Sequence, residues 1–381
     1  MKFCKKLVAF ILILPFLCAF LSMNASAGDT SLSGISAGSA CLIEAESGKV
    51  LYSKNAEKRL PMASTTKIMT AIVALECGIS LDKTVTISKQ AVGIEGSSLY
   101  LREGEKISLE ALLYGLLLSS ANDASVAIAI EVGGSVDNFV AMMNKKASDL
   151  GLADTHFVNP HGLHDENHYT TARDLARLMA YCVQNKIFLA VSGCDKRTFA
   201  CEGELTRVMI NHNRLLRANI GVISGKTGFT KASGRCLVTC AQIENLRLIA
   251  VTLNAPDDWQ DHTKLYEFGF ANYERLIFDQ ISLKIPVISG KKSEILAKSS
   301  EFSLFSSKND GKIEMQINAP RFVFAQVERD DVLGEVIYTQ NGKIIAKIPL
   351  IAQEKVEKIR YKFNLFEWLM DLIKGLFKWK K

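Results

Sequence analysis

Ser64 and Lys67 stand three residues apart in the run LPMASTTKIMTAIVAL (residues 60–75), where Lys67 is the only charge. On a helix, a hydroxyl and an amine at that spacing lie over one another. Ile68, Met69, Ile72, Val73 and Leu75 leave little polar face, so the spacing predicts a helix buried on most sides. Burial disfavours an ammonium and lowers its pKa toward the range where it accepts a proton. A serine at a helix start also has free backbone N–H groups and the positive dipole end beside it. The implied chemistry is a nucleophile, Ser64, with its base, Lys67. The competing reading is a lysine that snorkels to the surface.

Ser-x-x-Lys occurs three times, at Ser64/Lys67, Ser80/Lys83 and Ser289/Lys292. Ser80 follows Gly78 just past a helix end, and Ser289 lies in a loop-like stretch, so only the first pair opens a long apolar helix. Acyl transfer further needs an oxyanion hole, a group to handle protons at the leaving amine, and something to hold the substrate. Two stretches offer these. In LLYGLLLSSANDASVAIAIE, two apolar helices meet at Ser119–Asp123, which brings Ser120 and Asn122 toward Lys67 or merely caps the helices. Ser-x-Asn also occurs at Ser22, Ser53 and Ser307, but only the Ser120 copy falls at a helix junction. In GVISGKTGFTKASGRCLVTC, Lys226 supplies a cation, Thr227 a hydroxyl, and Gly228 a place where another backbone approaches closely. The strand itself offers an N–H row for an extended peptide. The alternative there is a hairpin turn with a solvated lysine.

The elements that must position these residues follow from patterning. Residues 37–55 read as a hairpin around Ser47-Gly48. From Leu60 to about Lys196 the chain reads as mostly helical, with breaks at Gly78, Ser119–Asn122, Gly133-Gly134 and Asn159–Gly162. Strands return with TRVMIN, GVISGKTGF, GRCLVTCAQI and LRLIAVTLNA, and HTKLYEFGFANYERLIF has helical spacing. The order predicts an α/β (α+β) domain, an antiparallel sheet flanked by helices with a helical insertion between its strands. After Asp279, short alternating runs with turn signals such as Asn341-Gly342 predict a small all-β domain.

The ends differ in character. Lys2, Lys5 and Lys6, an apolar run and Ala25-Ser26-Ala27 describe a secretory signal peptide over 1–27, the alternative being an uncleaved anchor. The segment FNLFEWLMDLIKGLFKWKK has one polar stripe of Asn364, Glu367, Asp371, Lys374 and Lys378 on an otherwise apolar helix. It suits lying in a membrane interface, with Lys378, Lys380 and Lys381 near anionic head groups, rather than spanning a bilayer. The competing reading packs it on the β domain. The expected layout is thus 1–27 leader, 28–278 catalytic domain, 279–358 β domain and 359–381 anchoring helix.

Composition bounds the rest. The chain has 381 residues, 48% hydrophobic and 23% charged, with a net charge of +6 and no basic block interleaved with aromatics, which argues against a nucleic-acid partner. Seven cysteines follow the leader; Cys236 and Cys240 on one strand lie ~13 Å apart, too far to bridge, while Cys194 and Cys201 are close enough in sequence to pair. His161, His164 and His168 lack a zinc spacing, and no metal or cofactor is expected.

Ser-x-x-Lys, Ser-x-Asn and Lys-Thr-Gly, in that order and context, form a known signature. The chain resembles the low-molecular-mass serine penicillin-binding proteins, the D-alanyl-D-alanine carboxypeptidases of peptidase family S11. The resemblance runs from about Ala37 to Ile277 and includes SSANDAS, NPHGLHDENHYTTARDLA, NHNRLL and GKTGFT. It implies a β-lactamase/transpeptidase-like fold and an enzyme that removes the terminal D-alanine from peptidoglycan stem peptides through an acyl-enzyme. It also implies β-lactams as inhibitors, no cofactor, and a place on the outer face of the cell membrane. By the same resemblance Ser64 is the acylated nucleophile and Lys67 its proton acceptor. Ser120 and Asn122 serve proton relay and substrate amide contact, Lys226 and Thr227 face the terminal carboxylate, Gly228 is a further substrate-binding residue, and the N–H groups of Ser64 and Phe229 form the oxyanion hole. Arg235 and Lys231 depart from the aromatic and acidic residues frequent in relatives. Two other functions compete. Against a β-lactamase stand Ser-Ala-Asn in place of Ser-Asp-Asn and an anchored β domain; against a catalytically inactive wall-binding protein stand three intact motifs.

Overall fold

The computed structural model describes residues 32–200, 206–359 and 365–378. The chain divides into two compact units, one of residues 1–242 and 247–269, the other of 243–246 and 270–381. The signal peptide and Cys201 lie outside the described residues, as do Phe363, Asn364, Trp379, Lys380 and Lys381.

The first unit is built on a five-stranded sheet. Its N-terminal hairpin pairs β1 (Ser39–Glu44) with β2 (Val50–Lys54) in antiparallel register. Gly48 makes the turn with φ +67°, and the Glu44 carboxylate accepts the N–H groups of Glu46 and Ser47. A three-residue-per-turn helical turn over Ala63–Thr66 then runs straight into α1 (Lys67–Glu76). Two short strands, β3 (Thr84–Thr86) and β4 (Lys106–Ser108), lead to α2 (Leu109–Leu117), α3 (Asn122–Gly133) and α4 (Val136–Asp149). The helices α5 (Ala172–Cys182) and α6 (Lys186–Ser192) follow, and the β5–β6 hairpin (Lys196–Ala200, Thr206–Ile210) closes the insertion. The chain then returns to the sheet as β7 (Val222–Thr230), β8 (Gly234–Ile243) and β9 (Leu246–Leu253), and ends the unit in α7 (Asp258–Asn272).

Strand order is β2-β1-β9-β8-β7, so the first and last segments of the unit share one sheet and the helical segment is inserted between them. All six residues of β1 are buried, as expected of a strand covered on both faces. β7 lies at the sheet edge, with one side of its backbone open to a ligand. α1 is surrounded by the other helices, and its residues Lys67 to Ala74 are all buried.

The stretch expected to be mostly helical is less so than its composition suggested. Thr84-Val85-Thr86 is β-branched throughout and pairs with Lys106–Ser108. Residues 150–171 form an irregular loop tied down by the bridges Leu60↔Thr170 and His156↔Tyr169. The final helix also stops earlier than its spacing suggested. Tyr273–Phe278 is a strand, β10, held against β13 (Phe302–Ser307) by stacked pairs Tyr273–Phe305 and Phe278–Phe302. Cross-strand aromatic pairing outweighs helical spacing there.

The rest of the second unit is a six-stranded sheet of β11 (Ser282–Ile288), β12 (Glu294–Lys298), β14 (Ile313–Asn318), β15 (Val323–Phe324), β16 (Val332–Gln340) and β17 (Lys343–Ala352), in the order β14-β16-β17-β12-β11-β15. Asn341-Gly342 turns β16 into β17 with φ of +51° and +72°. A separate small core includes Ile285, Ile295, Val336, Tyr338 and Leu350. The last element is α8 (Leu365–Lys378), whose described side chains, residues 366–374, are all exposed.

The described cysteines Cys41, Cys77, Cys182, Cys194, Cys236 and Cys240 are free thiols. Burial pushes Cys236 up to about 11 and Cys240 up to about 12. These two serve the core as small apolar side chains.

Candidate active site

Ser64 lies in the helical turn that opens α1, and the residue before it, Ala63, takes a left-handed φ of +49°. A non-glycine residue in that region is strained and persists only where its surroundings hold it. Here they do. The Thr66 hydroxyl donates to the Ala63 carbonyl at 2.8 Å and meets His168 Nε2 at 2.7 Å. Since Val158 N–H donates to His168 Nδ1, the imidazole proton sits on Nε2 and points at Thr66. Burial holds His168 down at about 3, so the ring stays neutral in this role. Gly162 completes the clamp, passing so close that a Cβ there would lie 1.9 Å from the Ala63 carbonyl oxygen.

Lys67 is wholly buried, with its Nζ 2.9 Å from Ser64 Oγ, 2.7 Å from Asn122 Oδ1 and 2.6 Å from the His161 carbonyl. All three partners are neutral. Burial, reinforced by the charge of Lys226, holds Lys67 well below the usual lysine range; Asp123 opposes this only in part. The other two Ser-x-x-Lys pairs differ in kind. Lys83 is in an ion pair with Glu131 at 2.5 Å and Lys292 in one with Glu354, so neither is a base beside a free hydroxyl.

Ser120 and Asn122 come from the junction between α2 and α3. Ser120 takes φ +57°, a second left-handed residue in the site, and accepts a hydrogen bond from Lys226 Nζ at 3.0 Å. Asn122 is fixed at both ends of its amide, accepting from Lys67 and donating to the Glu95 carbonyl at 2.5 Å. Lys226 and Thr227 arrive on the edge strand β7. Lys226 also donates to the Thr227 carbonyl at 2.8 Å, and burial lowers it to about 7. A Cβ on Gly228 would sit 3.1 Å from Ser64 N and 3.2 Å from the Met62 carbonyl, so glycine lets β7 lie against the turn that carries Ser64. Ser64, Ser120, Thr227, Gly228 and Phe229 all line one open cleft of about 570 Å³. Phe229 is two-thirds exposed at its rim.

The sequence-derived residues are thus brought together from three separate segments, the turn opening α1, the α2–α3 junction and β7. Others were not singled out. Asp123 is buried and accepts from Leu99 N, Leu101 N and Ser98 Oγ, fastening the 97–101 loop beside Ser97 at the cleft wall. An acid in the first turn of a helix is a legible signal, but not its distant partners. His212, Arg214, Arg217 and Trp259 also line the cleft. Arg235, noted as a departure, lines it too, held by Asp258 at 2.8 Å and lying over the Trp259 ring.

Residues 25–257 match the D-alanyl-D-alanine carboxypeptidase family, and residues 276–358 match the C-terminal domain of penicillin-binding protein 5. D-alanyl-D-alanine carboxypeptidase DacF of Bacillus subtilis is 33% identical over 84% of this chain and 86% of its own. DacC of Escherichia coli is 32% identical over 86% of each. Penicillin-binding protein 5 of Haemophilus influenzae superposes with a TM-score of 0.68 at 29% identity, covering 86% of this chain and 99% of that one. With its serine–lysine pair, its cleft and both family matches, the chain belongs to the D-alanyl-D-alanine carboxypeptidase family, the low-molecular-mass serine penicillin-binding proteins.

Proposed function

We propose that Ser64 carries out the carboxypeptidase reaction of this family on peptidoglycan stem peptides ending in D-alanyl-D-alanine, with Lys67 as its base. One observation carries the assignment: a fully buried amine, 2.9 Å from Ser64 Oγ, whose partners are all uncharged. A neutral amine there takes the Ser64 proton as Oγ bonds to the penultimate carbonyl carbon. The oxyanion is received by the N–H groups of Ser64 and Phe229. As the tetrahedral centre collapses, the amide C–N bond breaks and the departing D-alanine nitrogen takes a proton through Ser120. Lys226 and Thr227 hold the terminal carboxylate, and Asn122 and Gly228 keep the acyl part against the edge strand. Water, deprotonated by Lys67, then releases the shortened peptide. A β-lactam follows the first half of this path and remains as the acyl-enzyme.

The same reading places the catalytic work in residues 28–278, of which Tyr273–Phe278 pairs as β10 within the second unit. It assigns residues 279–358 to a docking or spacer domain and 359–381 to an anchor at the outer face of the cell membrane. The exposed Phe366, Trp368, Leu369, Leu372 and Ile373 of α8 support the anchor. No single described helix is long and apolar enough to cross a bilayer.

Penicillin labelling followed by peptide mapping tests the nucleophile. The adduct is expected on Ser64 and lost in Ser64→Ala; an adduct on Ser80 or Ser289 overturns the assignment. Measuring free D-alanine from a D-Ala-D-Ala peptide separates the carboxypeptidase from a lactamase or an inert binding protein.

A further inference from the structure

The edge strand of the second unit carries an apolar face where a solvated edge carries polar residues. β15 pairs in parallel with β11, with Val287 opposite Val323 and Ile288 opposite Phe324. Side chains alternate along a strand. Val287 is buried and Val323 packs on the small core, so their neighbours turn outward. Those neighbours are Ile288, 41% exposed, Phe322, 46% exposed, and Phe324, 65% exposed. The two rings touch edge to face at 5.5 Å, making one continuous patch with Ile288. Charge and proline are the usual protection for an exposed edge, and here Pro320 and Arg321 precede the strand while the outward positions 288, 322 and 324 are all apolar.

Two observations say what covers it. The first is where the chain goes next. Ile359 N–H donates to the Ser289 carbonyl at 2.9 Å, and Lys358 bridges to Gly290, so the last described residues before α8, 358 and 359, lie beside the end of β11. α8 begins at Leu365. Six residue steps reach at most about 22 Å. If α8 lies in a bilayer interface, Ile359, hydrogen-bonded to Ser289 beside Ile288, is tethered within that distance of it. The second is charge. Around this end Lys291–Glu357, Lys292–Glu354 and Lys355–Glu328 pair off their acids. Arg321 and Lys358 are exposed and make no ion pair among the described residues. Aromatic rings flanked by uncompensated cations match an anionic lipid surface.

We propose that Ile288, Phe322 and Phe324 form a second membrane contact, seating the end of the β domain on anionic lipid beside α8. The proposal rests on α8 being the membrane anchor. With two contacts the second unit stands in a defined orientation on the bilayer.

The test uses the full chain with a photo-crosslinking phenylalanine analogue at position 324, at 344 as an exposed control in β17, or at 368 within α8. Each protein is irradiated on vesicles containing phosphatidylglycerol. Lipid adducts are expected at 324 and 368 and not at 344. Adducts at 368 without any at 324 overturn the proposal and leave the anchor standing. Adducts at neither position overturn both. A crosslink from 324 to α8, or to a second copy of the chain, also overturns it, by showing a protein occupant. Phe322→Ser/Phe324→Ser should weaken vesicle binding about tenfold or more with penicillin labelling unchanged. Undiminished binding of that variant counts against the contact.

Discussion

Two lysines, both wholly buried, sit in one cleft with different partners, and the difference sets the pH behaviour expected of the enzyme. Lys67 is held well below the ordinary lysine range by burial and by the neighbouring charge of Lys226. Lys226 is lowered by burial to about 7. Both shifts run the same way for folding. Between the folded pKa and the ordinary value near 10.4, the unfolded chain binds the extra proton, so stability rises with pH across that window. For Lys226 the contribution is lowest, and flat, below about 7. Catalysis divides the two. As pH rises, Lys67 loses its proton and acylation rises. As pH passes about 7, the free enzyme loses the Lys226 charge that attracts the terminal carboxylate, and kcat/KM falls. A substrate amidated at its terminus should lack that falling limb; a limb that persists with the amide would assign it to another group. Lys67→Arg keeps a charge that cannot be shed and should lower penicillin acylation by 10²-fold or more, at the scale of a lost general base. Stopped-flow acylation rates check this, and labelling within threefold of the native rate would remove Lys67 from the role.

At the scale of elements, the Ser64 turn is held by backbone that has no room for a methyl group. At Gly162 φ is +92° and a Cβ would overlap the Ala63 carbonyl, so Gly162→Ala adds left-handed strain to a steric clash. We expect a loss of about 2–5 kcal/mol in urea unfolding, summing the two effects, together with weak penicillin labelling because Ala63 and Ser64 move. At Gly228 the spacing is tight rather than impossible, 3.1 Å to Ser64 N, and φ is ordinary. Gly228→Ala should therefore leave stability within about 1 kcal/mol but push β7 off the Ser64 turn. A displacement of that order costs up to about 10²-fold in acylation. Equal losses of stability in the two variants would show that both glycines act through packing alone.

For the whole molecule, every residue of the cleft lies in the first unit, and the last of them is Trp259. A chain lacking α8 should remain an active carboxypeptidase on small peptides. The cut must come after Ile359. Val356 is buried in the small core, Glu357 pairs with Lys291, and Ile359 closes a hydrogen bond to Ser289, so an end at Val356 would fray the β domain. The 28–359 protein should stay in the supernatant with anionic vesicles, while the full chain pellets and is released by salt only in part, because its apolar contact is unscreened. Complete release by salt alone would mean that α8 does not insert.

Much of this was legible in one dimension. The buried α1 helix, its lone lysine and the serine one turn before it follow from apolar spacing, because burial and period are local properties of the chain. The Lys-Thr-Gly strand, the Asn341-Gly342 turn and the separate β texture after Asp279 are likewise local. What sequence could not supply is long-range. The Lys67 partners Asn122 and His161 lie 55 and 94 residues away. The Ala63 strain is held by His168, and the 97–101 loop by Asp123, through hydrogen bonds whose partners have no fixed sequence spacing. The apolar residues of β10 fit the helical period as well as the strand period, and only pairing with β13 decides between them. Local spacing therefore offered Ser64 and Lys67 as a candidate pair, and the three motifs together, through the family resemblance, favoured them over a snorkelling lysine. The close packing of α1, the α2–α3 junction and β7 decided that Lys67 meets only neutral partners, and with it whether that amine can act as a base.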